Sequence, residues 1–106
     1  MEKRKQPRFT AQFRSAFSGS QHEGQGKTLD VSISGCKIES DRQVEAATKV
    51  ECRLYIPGFD WPLRIDEAAV RWVKGRTFGL EFVRIRPEEQ KKLKKLIKDL
   101  ADELGE

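Results

Sequence analysis

Two short groups of residues in the first third of the chain have the types and spacing needed to bind a ligand with both an anionic and a hydrogen-bond-donating part. The first group is the segment RKQPR, in which Arg4 and Arg8 lie four positions apart. The second group, further along the chain, is Asp30, Ser32 and Gly35 in the pattern D-x-S-x-x-G. Guanidinium groups pair with phosphates and donate bidentately to guanine O6 and N7, and a carboxylate accepts hydrogen bonds from the adjacent N–H groups of the guanine edge. The two groups together therefore favour a ligand that contains guanine and phosphate.

The spacing within the second group indicates a small polar cradle. Asp30 and Ser32 are two positions apart, so in an extended chain their side chains point the same way. Gly35 ends the turn SISG, where a glycine permits a positive φ or close approach by a ligand. We expect an arm that carries Arg4 and Arg8 to fold over this cradle.

The positive charge of the chain is concentrated in that arm. The net charge is +4, and the first fourteen residues hold five basic side chains against Glu2 alone. Lys3 and Lys5 flank Arg4 and are possible additional ligand contacts. We predict that residues 1–8 form a flexible basic arm, that Pro7 limits the entropy cost of ordering it, and that a ligand draws it onto the rest of the protein.

Alternation of apolar and polar residues predicts about six strands. They are expected at residues 9–17, 27–31, 36–40, 50–56, 63–74 and 78–82, with a turn-rich connector at 19–26, a loop at 41–48 and an irregularity near 66–69. After Pro87 the apolar period changes to that of a helix, through Leu93, Leu96, Ile97, Leu100 and Leu104. The sequence thus predicts one all-β domain over 1–106, with a small six-stranded antiparallel β-barrel at 9–85 and a C-terminal amphipathic α-helix at 87–104.

The remaining conspicuous side chains predict structure rather than chemistry. We expect Trp72, Phe78 and Phe82 in the core, and Cys36 and Cys52 as buried thiols that neither form a disulfide nor bind metal. Phe59 and Trp61, in the loop PGFDWP, either fold back onto the barrel or contact a partner. His22 has no ligand cluster around it, and no catalytic triad, C-x-x-C pair or phosphate loop is present, so no catalytic residue, metal or cofactor is predicted.

The order of the two groups resembles the PilZ domain family, in which R-x-x-x-R precedes a strand and D/N-x-S-x-x-G follows. The segments VRW (70–72) and FGLEF (78–82) are similar to the late hairpin of that family, and RPEE (86–89) is similar to its usual ending. The resemblance covers nearly the whole chain and implies a six-stranded antiparallel barrel. Since many PilZ domains are bacterial receptors for cyclic di-GMP, it also implies that ligand and a non-enzymatic role in second-messenger signalling.

The resemblance assigns a role to each motif residue. Arg4 and Arg8 would clamp the phosphates and stack on or bond to the guanines, Asp30 and Ser32 would bond guanine from the barrel surface, and Gly35 would leave room for the base. The residue before the first arginine, Lys3, often affects whether one ligand or an intercalated pair binds, and the sequence leaves that stoichiometry open.

Two other interpretations of the sequence stay open beside the receptor. One is a PilZ-like interaction module that binds no nucleotide, and the other is a small nucleic-acid-binding barrel. For the receptor we expect a cytoplasmic protein, a monomer or weak homodimer, that acts in trans on an unidentified protein target. No apolar run approaches the ~18 residues of a membrane span, so no membrane insertion is expected, and DNA is not expected as a partner.

Overall fold

The computed structural model describes residues 8–19 and 23–104. Six strands precede one helix: β1 (Phe9–Ser18), β2 (Glu23–Val31), β3 (Gly35–Glu39), β4 (Lys49–Tyr55), β5 (Leu63–Lys74), β6 (Thr77–Arg84) and α1 (Pro87–Leu104). The bounds agree closely with the predicted ones except at β2, which begins inside the segment predicted as a connector.

The early start of β2 has a steric explanation. Gly24 and Gly26 break the apolar alternation, so the sequence pattern indicates a turn there. In the structure a Cβ atom at Gly26 would lie 2.5 Å from the carbonyl oxygen of Glu39 on β3. Glycine in this strand therefore permits a close backbone approach, which a local pattern does not reveal.

The strands form a closed antiparallel barrel, which confirms the predicted architecture. Their order around the barrel is β1-β2-β3-β6-β5-β4, and β4 closes it by pairing with β1. Because the described strands close into a barrel, each of them is paired on both sides over at least part of its length. β2 and β3 are neighbours, and the turn between them, residues 32–34, contains the middle of the D-x-S-x-x-G segment.

The core fills the barrel with side chains from every strand. Its fully buried members include Phe17, Val31, Ile38, Leu54, Leu63, Ile65, Val70 and Phe78. Cys36 on β3 and Cys52 on β4 are also fully buried and unbridged, as predicted. A hydrogen bond with the Cys52 thiol, together with burial, raises the pKa of the Cys36 thiol well above its usual value.

Trp72 does not lie in the core, contrary to the prediction. Val70 pairs with Leu80 and Trp72 pairs with Gly79, so β5 uses one residue more than β6 between these two pairs. Such a bulge reverses which side of the sheet the following side chains face. Val70 therefore points inward, whereas Trp72 points outward and is 42% exposed.

Helix α1 packs on β1 and β5 through its apolar stripe. Leu93 and Leu96 are buried, and Ile97 and Leu100 pack against the same core. Glu89, in the first turn, accepts a hydrogen bond from the backbone N–H of Arg64 on β5, at 2.9 Å. In the part of the chain that the structure describes, no helix has the length and apolar character of a membrane span.

Candidate functional site

Arg8 and Asp30 are in direct contact, although they belong to different motifs. Arg8 Nη1 donates to Asp30 Oδ1 at 2.6 Å. Arg8 immediately precedes β1, and Asp30 pairs with Thr10 of that strand, so the β1–β2 register places the two side chains together. Arg8 therefore already contacts the barrel, whereas the sequence analysis expected a ligand to draw it there.

Lys37 is the second cation on Asp30, and the sequence analysis did not select it. Lys37 Nζ lies 3.5 Å from Asp30 Oδ2. Asp30 and Lys37 are direct partners across β2 and β3, and directly paired residues point to the same side of a sheet. Alternation in the sequence placed Lys37 on the outer side of β3. Its partner depends on the register between β2 and β3, which the sequence pattern does not give.

Ser32 does not share the outward direction of Asp30. β2 ends at Val31, and Ser32 is buried in the turn that follows. Its hydroxyl accepts from the backbone N–H of Ser34 at 3.2 Å and lies 3.4 Å from the carbonyl oxygen of Gly35. Ser32 thus shapes the turn that sets Asp30 beside β3, which is the usual role of a serine in such turns.

Gly35 is required by the packing of two strands. A Cβ atom there would lie 2.2 Å from the carbonyl oxygen of Leu80 on β6. Positive φ values occur at Ala47, Gly58 and Gly75 among the described residues, and not at Gly35. The glycine therefore allows close approach by a neighbouring strand, and the left-handed conformation considered from sequence is not used.

Trp72 lies on the same outer surface as the charged cluster formed by Arg8, Asp30 and Lys37. A Cβ atom at Gly79 would lie 2.2 Å from Trp72 Nε1, so the indole covers that glycine. An open depression of about 210 Å³ next to the indole is lined by residues that include Arg8, Ser34, Arg71, Trp72 and Glu81. A half-exposed indole beside guanidinium groups provides a surface on which a planar base can stack.

The described residues do not include Arg4, Lys3, Lys5 or His22.

A separate groove of about 310 Å³ lies between β1, the loop that begins at Pro57, and α1, and none of the described motif residues lines it. Within residues 8–19 and 23–104, no group of three or more His, Cys, Asp or Glu side chains is arranged to hold a metal ion.

The fold and the site define a small antiparallel barrel with cations and a carboxylate gathered on its outer surface. A sequence profile of the PilZ domain matches residues 2–99. The chain therefore belongs to the PilZ domain family. No curated protein matches the chain in sequence.

Two solved structures with the same fold are PilZ domains of low sequence identity to this chain. The PilZ domain of YcgR from Escherichia coli, solved with c-di-GMP, is 10% identical, with a TM-score of 0.79 and coverage of 97% of this chain and 95% of that one. The PilZ domain of CeSA from a cellulose-synthesizing bacterium is 15% identical, with a TM-score of 0.69 and coverage of 89% and 97%.

A third similar structure is that of a longer protein. The Bacillus subtilis inhibitor of motility, MotI/DgrA, is 16% identical, with a TM-score of 0.75 and coverage of 93% of this chain. The present chain spans only about half of that protein, 51% of its length. At these identities, the likeness to the solved structures establishes the fold.

Proposed function

We propose that this protein is a bacterial cyclic di-GMP receptor without enzymatic activity. The observation that carries the proposal is the contact of Arg8 with Asp30, because it brings the ends of the two motifs together on one barrel surface. Membership of the PilZ family supports the proposal, as does the fold shared with a YcgR domain solved with c-di-GMP.

Each residue of the cluster has a chemical role in this proposal. Arg8 moves from Asp30 to a phosphate or to guanine O6 and N7, and Arg4 supplies a second guanidinium. The carboxylate of Asp30 then accepts from the ring N–H and amino group of guanine. Trp72 offers a stacking face, while Ser32 and Gly35 hold the turn and the strand spacing behind the site.

Signalling follows from the same exchange of partners. Arg8 is already paired, so the change on binding begins with transfer of its guanidinium from the carboxylate to the ligand, which Arg4 also binds. The altered surface is presented to a protein target in trans, in the cytoplasm. A monomer or a weak dimer is sufficient for this role.

Isothermal titration of the purified protein with cyclic di-GMP tests the proposal, with GMP and cyclic di-AMP as controls. Saturable binding of cyclic di-GMP alone is expected, together with a change in Trp72 fluorescence, and the fitted stoichiometry separates one ligand from an intercalated pair. Because Trp61 also fluoresces, the titration is repeated in Trp61→Phe. Absence of heat and of any rise in melting temperature at high ligand concentration would reject the receptor.

A second candidate, an interaction module without a nucleotide, is favoured by one observation. Trp61 is 74% exposed on the loop beside α1, and an indole in that position suits a protein contact. Phe59, in the same loop, folds back and packs against the core. Of the two aromatic residues of this loop, Trp61 is therefore the one exposed for a partner contact. The titration above separates this candidate from the receptor.

A further inference from the structure

We propose that Lys37 binds the phosphate of the ligand and that this step frees Asp30 for the base. The inference rests on the proposed function, because it assumes that an anionic dinucleotide occupies this surface. No motif residue predicts it, and it follows from how the strands are paired.

The first argument is that both oxygens of Asp30 are occupied. Oδ1 accepts from Arg8 at 2.6 Å, and Oδ2 lies 3.5 Å from Lys37 Nζ. A guanine edge presents two adjacent N–H donors, and a carboxylate must offer both oxygens to receive them. Each oxygen has two lone pairs, but Arg8 and Lys37 compete with the base for them, so a phosphate that takes up Lys37 leaves Oδ2 open to the guanine edge.

The second argument is the position of Lys37 between the two ends of the site. Asp30 pairs with Lys37, Lys37 pairs with Gly79, and Gly79 pairs with Trp72, so these side chains form one row across four strands. Neighbouring strands lie about 4.8 Å apart, so the backbones of Asp30 and Trp72, three strands apart, are separated by about 14 Å along the barrel surface. A ligand that reaches from the carboxylate to the indole passes over Lys37.

The third argument is one of charge. The cluster contains one carboxylate with two cations, whereas Arg71, at the far side of the depression, has its own partner in Glu81 at 2.5 Å. A dianionic ligand arriving over Lys37 meets a side chain that is 37% exposed and whose ammonium group lies 3.5 Å from Asp30 Oδ2, beyond the usual N–H···O distance. Exchange of that pair for a charge-assisted phosphate contact is therefore favourable.

The test compares the binding of cyclic di-GMP to Lys37→Met, Lys37→Arg and Lys49→Met with binding to the wild type, at low and at high salt. Lys49 is the matched control, since it is an exposed strand lysine paired with Glu67 at 3.0 Å, on the strand opposite β3 in the barrel. We expect Lys37→Met to weaken binding about tenfold, as for the loss of a charged hydrogen bond, and Lys37→Arg to stay within about threefold of the wild type. Lys49→Met should bind as the wild type does.

Salt dependence separates a phosphate contact from a purely structural role. The affinity of Lys37→Met should fall less steeply with added salt than that of the wild type, because one screened charge pair is missing. If Lys37→Met and Lys49→Met bind cyclic di-GMP equally well, the role of Lys37 is overturned and the receptor stands. The same holds if Lys37→Met binds more tightly than the wild type or keeps the salt dependence of the wild type. A wild type that binds no cyclic di-GMP would overturn the receptor and this inference together.

Discussion

At the scale of single residues, the site depends on which partner each charge has. Asp30 holds two cations, Arg8 and Lys37, on its two oxygens. Ion pairs of this exposure stabilise a fold by only about 0.2–1 kcal/mol, so they are easily exchanged for a ligand. We therefore expect substitutions here to change binding strongly and folding weakly.

Arg8→Ala should weaken cyclic di-GMP binding at least tenfold and leave the melting temperature almost unchanged, because the side chain lies outside the core. Titration calorimetry and thermal unfolding measure the two effects. Arg84→Ala is the control, since Arg84 is an exposed arginine paired with Glu67. Wild-type affinity in Arg8→Ala would remove the proposed clamp.

Asp30→Ala should reduce the preference for cyclic di-GMP over cyclic di-AMP, because adenine lacks the paired donors that the carboxylate recognises. Competition binding with the two dinucleotides gives the ratio of affinities. Asp41→Ala removes a more exposed carboxylate that is paired with Arg76 and should leave the ratio as it is. If both variants keep the wild-type ratio, Asp30 does not recognise the base edge.

At the scale of elements, the spacing of β3 and β6 sets the geometry of the site. Gly35 on β3 faces the backbone of Leu80, and Gly79 on β6 lies under the indole of Trp72. Both positions are closed to a Cβ atom, but by groups of different mobility. A backbone carbonyl in a paired strand cannot move alone, whereas a half-exposed indole can rotate away.

The same substitution should therefore have different consequences at the two glycines. We expect Gly35→Ala to lower the free energy of unfolding by about 2 kcal/mol and Gly79→Ala by less, with a red shift of Trp72 fluorescence in Gly79→Ala as the indole turns into water. Urea unfolding and emission spectra of both variants, in a Trp61→Phe background, measure these effects. A larger loss in Gly79→Ala would show that the indole is held more firmly than the strand.

At the scale of the whole molecule, barrel closure encloses two thiols from strands on opposite sides. Cys36 and Cys52 are fully buried and contact each other inside the core. The thiolate is the reactive form of cysteine, and the hydrogen bond of the Cys36 thiol with Cys52, together with burial, raises the pKa of Cys36 well above its usual value. The folded barrel therefore protects both thiols by enclosure, and Cys36 also by protonation.

Both cysteines should resist alkylation in the native protein at pH 8, with a rate on the order of a hundredfold below that of the urea-unfolded chain. Mass spectrometry after timed treatment with iodoacetamide counts the modified thiols. Raising the pH to about 9 should accelerate the modification of Cys36 more in the unfolded chain than in the native one, because the pKa of Cys36 is raised in the folded barrel. Rapid modification of either cysteine in the native state would contradict the enclosed core.

The sequence by itself determined the barrel, the helix and the two motifs. Alternation in the strands and the change of period at Pro87 are local properties, and the helix begins and ends where they predict. The motifs R-x-x-x-R and D-x-S-x-x-G, with the late hairpin, were enough to indicate the family. The buried thiols also followed from alternation, because each cysteine occupies an inward position of a regular strand.

Only the tertiary structure decided which side chains surround the site. Trp72 lies outside the core because one extra residue in β5 reverses which side of the sheet the following side chains face. Local alternation does not reveal how an irregular strand resumes its pairing. Strand register places Lys37 beside Asp30 and Gly35 against the backbone of Leu80. Register and bulges depend on contacts between distant segments, so the pattern of any one strand contains too little information to fix them.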